Sequence, residues 1–193
     1  HAAVQVPTYL KDLKIPSGYF DSKVFKEKLN AYVADHFGSE DLIENISNYQ
    51  VFLNRVLAAQ LDINLRAMQE DLAQFILQDS AVERTYTAHQ MWGGEYTKGI
   101  PYILQNGYNP KRSGDVLFVL KPAVISYFRT GSTHGSPQIY DTHTPLLFYG
   151  KGFKRGASYE RSEIPDIAPT IAAMLGIAFP NGTTGKPLTQ VLE

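Results

Sequence analysis

The chain has 193 residues, 44% of them hydrophobic and 19% charged, with a formal net charge of −1 and no cysteine. Such a length fits one domain, or one core with a small subdomain, and the composition excludes a disordered or solvated tail. The near-neutral charge argues against a general nucleic-acid binder, and the missing cysteine excludes a disulfide scaffold, a thiolate zinc site and a cysteine nucleophile.

Residues 1–20 carry Pro7, Pro16 and Gly18, which interrupt any long element. A helix then follows, capped by Asp21, striped with Phe25, Leu29, Tyr32, Val33 and Phe37, and stopped by Gly38. Residues 49–53 read as a short strand. After Asp62 comes a second helix with Leu65, Met68, Leu72, Phe75 and Ile76 on one face. The stretch 82–91 is β-rich and ends at Trp92-Gly93-Gly94, and 96–107 reads as a short helix interrupted by Pro101. Residues 115–120 are an almost continuous apolar run suited to a strand buried on both faces. Further strands are expected at 123–128 and 145–149, separated by a Gly/Ser/Thr/His-rich loop over 129–144. A last helix spans 167–175, with Asp166 as its cap and Gly176 as its stop. Helices mixed with buried strands indicate an α/β or α+β architecture. No apolar run approaches the roughly 20 residues that span a bilayer. A chain opening on His1-Ala2-Ala3 shows neither signal peptide nor initiator Met, so it reads as a processed, cloned or incomplete product.

Loop 129–144 concentrates the chemistry. His134 and His143, Asp141 and several hydroxyls lie between two expected strands, where α/β proteins place ligands. Neutral imidazole is a common zinc ligand, and Gly131 and Gly135 allow the backbone to approach a site closely. The two histidines are nine residues apart, so only a folded loop can bring them together. Asp141 can accept the ring N–H of a ligating histidine. The simpler reading is a polar loop whose histidines bond to the backbone. His36 sits near a helix end, where a cation complements the dipole, and His89 is expected to be structural. Arg129, Lys151, Lys154 and Arg155 either attract an anion or are solvated surface charge. Residues 182–187 fail as a phosphate loop, having two residues rather than four between the glycines and Pro187 after Lys186.

Ser-Thr-His-Gly-Ser-Pro-Gln-Ile-Tyr-Asp-Thr-His-Thr-Pro-Leu-Leu-Phe-Tyr-Gly over 132–150 resembles the C-terminal signature of the alkaline phosphatase superfamily. It is most similar to bacterial PafA-like phosphatases, which are related to type I phosphodiesterase/nucleotide pyrophosphatases. Residues 163–177, then Asn181-Gly182 and Gly185-Lys186-Pro187-Leu188, resemble that family's final helix and tail. Residues 1–10 resemble the segment after its Asp-His metal-binding pair, with Ala2 where the family often has Gly.

This resemblance implies a C-terminal part of a layered α/β core with an inserted α+β subdomain: core over 1–19, insertion over 20–125, core again over 126–193. It further implies a secreted or periplasmic two-zinc hydrolase acting on phosphate esters through a Thr or Ser nucleophile. His134 then corresponds to the late ligand of one zinc, with His143 in reserve, and His1 to the histidine of the Asp-His pair on the other. Asp141 stands behind the ligands. The nucleophile and most ligands fall upstream, so the chain alone is expected to be inactive, and its uncovered apolar edges to favour self-association. An alkaline phosphomonoesterase is the first reading. The alternatives are a phosphodiesterase or nucleotide pyrophosphatase of the same superfamily, and a non-catalytic interaction domain.

Overall fold

The computed structural model describes residues 4–193, which divide into two compact units, 4–144 and 145–193. In the first unit, helix α1 (Pro7–Asp12) opens on a proline, whose missing N–H costs nothing at that position. Strand β1 (Gly18–Tyr19) follows, and then α2 (Ser22–Phe37). The Asp21 carboxylate accepts from the N–H groups of Lys23 and Val24 at 3.0 and 3.1 Å, and Gly38 closes α2 at φ 88°. Phe25, Leu29 and Val33 form its buried face, as their spacing predicts.

Strands β2 (Ile43–Ser47) and β3 (Gln50–Leu53) form a hairpin turned at Asn48 and Tyr49, with φ values of 49° and 58°. Two positive φ values at the centre of a two-residue turn match the right-handed twist of the strands, and Asn tolerates the first of them. Helices α3 (Arg55–Gln60) and α4 (Leu65–Leu77) are capped by Asn54 and Asn64. Met68, Leu72 and Ile76 of α4 are buried in the same apolar cluster as Leu29 and Val33 of α2 and Val51, Val116 and Phe118 of the sheet.

The stretch 82–91 divides in two. Strand β4 (Val82–Thr87) ends where the Thr87 hydroxyl accepts from the Gln90 N–H and the Gln90 side chain accepts from the Thr87 N–H, starting α5 (Ala88–Gly93). His89 therefore lies on a helix, because a capping box outweighs the local β-propensity. Helix α6 (Gly99–Gly107) holds Pro101 in its first turn, where no intrahelical N–H is lost, so the proline starts the helix and does not interrupt it. Strand β5 (Val116–Leu120) is buried at every residue.

The sheet runs β2-β3-β5-β4 and is antiparallel throughout. Strand β6 is only Val124–Ile125, shorter than the expected 123–128. It pairs in parallel with β1, which is itself two residues long and ends the ladder. That ladder sets Gly18 beside Val124 and Tyr19 beside Ile125, so the chain between them leaves and returns at one place.

In the second unit, 145–149 is not a strand. Leu147 and Tyr149 are exposed, and no ladder among the described residues receives this segment. Helix α8 (Ile167–Leu175) ends at Gly176 with φ 65°. Asp166 precedes α8 but does not cap it. Its carboxylate instead accepts from the N–H groups of Lys186 and Glu163, both at 2.9 Å, and these bonds hold it below the usual carboxylate range. The Thr170 hydroxyl donates to the Asp166 carbonyl at 2.6 Å and accepts from the Leu188 N–H at 2.9 Å, which fastens the chain's tail to the helix.

Candidate functional site

Loop 129–144 is not wholly irregular: it contains one helical turn, α7 (Ile139–Thr142). Its chemistry is organised by two buried polar side chains. The Asp141 carboxylate lies 7% exposed and accepts, through Oδ2, the N–H groups of Gly135 and Ser136, both at 2.6 Å. Gln138 is 8% exposed. Its Nε2 donates to the Leu120 carbonyl at 3.1 Å and to Glu83 Oε2 at 2.9 Å, tying the loop to the ends of β5 and β4. The Gln138 carbonyl accepts the N–H groups of Asp141 and Thr142, closing α7.

Beneath the loop lies a cavity of about 20 Å³, lined by Tyr49, Phe118, His134, Tyr140 and Asp141 among others. It has room for about one water molecule. Burial pushes the Tyr49 phenol up, and the neighbouring Tyr140 and Asp141 add to the shift. On the other side, Ser132 Oγ donates to the Val4 carbonyl and Tyr19 donates to the Arg129 carbonyl at 3.0 Å. The N-terminal segment is thereby held against the start of the loop.

His134 is exposed on the turn that Asp141 holds. His143 is also exposed and follows α7, donating its N–H to the Ile139 carbonyl. His1 lies outside the described residues. Among the described residues, no three or more His, Asp or Glu side chains come together so as to hold a metal ion. The donor chemistry of His134, an exposed imidazole on a glycine-flanked turn, suits one position in a zinc shell. A complete shell of about four ligands is not present among the described residues.

Arg129 stacks over the Tyr19 ring at 5.7 Å, while Lys151, Lys154 and Arg155 are exposed. His36 stacks on Tyr32 at 4.0 Å and its Nδ1 lies 3.0 Å from the Tyr32 carbonyl, so it is a helix-end residue. Sequence reasoning missed Tyr49, Gln138 and Tyr140. The Asn48-Tyr49 pair between two apolar runs was a hairpin signal, but no local pattern placed its ring under residue 134.

No protein-family model matches the chain. Alkaline phosphatase PafA of Elizabethkingia meningoseptica is 34% identical over 193 residues, all of this chain and 35% of that protein. A calcium-transporting ATPase of Myroides odoratus is 37% identical over 199 residues, again all of this chain and 36% of that protein. Alkaline phosphatase PhoV of Synechococcus elongatus is 28% identical over the whole chain and 34% of its own length. The solved structure of wild-type alkaline phosphatase PafA superposes with a TM-score of 0.90 at 33% identity, covering 99% of this chain and 36% of that one.

The fold and these matches place the chain among the α/β proteins of the alkaline phosphatase superfamily. Within it the chain is PafA-like and corresponds to a C-terminal portion, spanning about a third of the length of the curated relatives it matches.

Proposed function

We propose that the chain contributes to a metal-dependent phosphate-ester hydrolase, an alkaline phosphomonoesterase, as one part of a composite two-zinc site. The observation that carries this reading is the Ser132–Val4 hydrogen bond, together with the Asp141-held turn beside it. It ties Val4 to the loop that bears His134, and His1 stands three residues before Val4 in the sequence. The names of the relatives support phosphatase chemistry, and no observation favours phosphodiesters.

In this reading His134 supplies one imidazole to one zinc, with His143 in reserve, and His1 supplies one to the other. Bound zinc stabilises charge on attacking and leaving oxygens. The chain's own part is to present the imidazoles and keep their main chain in place. The β1–β6 ladder supports treating 20–125 as an insertion between core segments 1–19 and 126–193. A secreted or periplasmic setting follows from the same family reading. Among the described residues no helix is long and apolar enough to cross a membrane. Exposed Leu147, Tyr149 and Ile164 support self-association of the isolated chain.

The isolated chain has no turnover, because two or three imidazoles cannot complete two zinc shells. Purified chain, excess zinc and a chromogenic phosphomonoester test this: a sustained rate above the zinc-only blank that follows the protein through purification refutes the proposal.

A further inference from the structure

We infer that Asp141 is a positioning residue that sets the direction of the His134 imidazole through the main chain. This rests on the reading of His134 as a metal ligand and specifies how that ligand is aimed. Gly135 follows His134 with φ 106°, a conformation that glycine adopts freely and that leaves the turn without intrinsic stiffness. A ligand must be held to within roughly 0.5 Å of its productive geometry, so a turn containing glycine needs an external restraint. Asp141 supplies it. Its Oδ2 takes the N–H groups of the two residues directly after His134, at 2.6 Å each, from a buried position where such charge-assisted bonds are strongest.

The restraint is itself anchored. Gln138 fixes α7 to β4 and β5, so the carboxylate stands on the sheet and not on a free loop. Tyr49 and Tyr140 line the cavity beneath it, and both belong to the same compact unit as the loop. The familiar arrangement has a carboxylate accept the ring N–H of a ligating histidine. Here both hydrogen bonds to Oδ2 come from the peptide backbone.

The test uses the full 193-residue chain labelled with ¹⁵N. Zinc is titrated while the His134 ring nitrogens and the Gly135 and Ser136 amides are followed, in the wild type and in the variants H134A, H36A, D141A and D141N. H134A should abolish the zinc response and H36A, at a helix end away from the loop, should leave it. D141A should weaken it by about 10- to 100-fold, the range seen when residues behind metal ligands are lost, and move both amides upfield. D141N keeps a carbonyl acceptor but loses the charge, so it should show a smaller loss with the amides moved part of the way. Should D141A not fold, D141N decides alone: unchanged amide positions and unchanged zinc affinity overturn the inference. If D141A stays within twofold of wild type while H134A is silent, the role of Asp141 is refuted and that of His134 stands. If H134A titrates like wild type, the His134 reading fails and this inference falls with it.

Discussion

Replacing Asp115 by alanine should destabilise the first unit more than any single apolar truncation on its surface. Asp115 precedes β5 and is 2% exposed. Its carboxylate joins three elements: it accepts the Leu53 N–H of β3 at 2.9 Å, Gln69 Nε2 of α4 at 2.9 Å, and the guanidinium of Arg55 of α3 at 2.9 and 3.1 Å. The Leu53 N–H and the Gln69 Nε2 belong to buried residues, and both lose this acceptor once the carboxylate is gone. Each stranded buried donor costs about 1–3 kcal/mol. Arg55 is 49% exposed, so water takes it up and its loss adds about 1 kcal/mol or less. The expected cost of D115A is therefore about 4 kcal/mol, a large share of the roughly 5–15 kcal/mol by which domains are stable. D115N keeps one acceptor and should cost about half as much, roughly 2 kcal/mol. Urea unfolding followed by far-ultraviolet circular dichroism measures both, from the shift in midpoint at constant slope. A cost below about 1 kcal/mol for D115A would mean that the two donors find other partners, and the three-element clamp would be wrong.

Tyr32 should titrate late. Burial pushes its phenol up to about 12, helped by the hydrogen bond it donates to Asp71 at 2.7 Å and by that residue's charge. A folded-state value above the unfolded one near 10 means that this contribution to stability is intact below pH 10 and lost as pH rises towards 12. Ultraviolet titration at the phenolate band should show Tyr32 among the late tyrosines, with the half-buried Tyr49 and Tyr108, and D71A should move one of them back towards 10; an unmoved titration counts against the Asp71 contribution. In the second unit a Cβ on Gly185 would meet the Pro165 carbonyl oxygen at 2.1 Å, a backbone contact that cannot yield without moving the chain. G185A should lower the melting temperature by several degrees, whereas G107A, with open space around it, should not. Equal melting temperatures for the two variants would show that the tail does not pack on residue 165.

The elements that were legible in the sequence are those whose signals are local. Asp21, the 25–29–33 stripe and Gly38 describe α2 completely, because cap, face and stop are all fixed by neighbouring residues. The apolar run at 116–120 gave β5 for the same reason, though not the direction of its partners. What failed was decided at a distance. Residues 145–149 have strand composition but no ladder among the described residues, and composition alone does not make a strand. Thr87 and Gln90 turned a β-rich stretch into a helix through one reciprocal pair of bonds. In the candidate loop the histidines, glycines and Asp141 stand out in the sequence as residues, but the two backbone bonds that Asp141 Oδ2 accepts do not, because they join it to N–H groups six and five residues earlier through a turn that no local pattern fixes.

That distinction bears on how the segment between β1 and β6 and the candidate site depend on each other. The segment between β1 and β6 builds its own sheet and core, and its two ends meet at a ladder only two residues long. So short a ladder carries few hydrogen bonds and cannot by itself hold the loop after β6. The loop is held instead by Gln138 on β5 and β4, by Ser132 on Val4, by Tyr140, whose hydroxyl accepts the Ala123 N–H at 3.3 Å, and by Tyr49, which lines the cavity beneath it. Two of these four supports, the β4–β5 end and the Tyr49 hairpin, belong to the segment between β1 and β6. That segment therefore supplies part of what holds the loop, and destabilising its sheet through Asp115 should loosen the Gly135 and Ser136 amides before the chain unfolds as a whole.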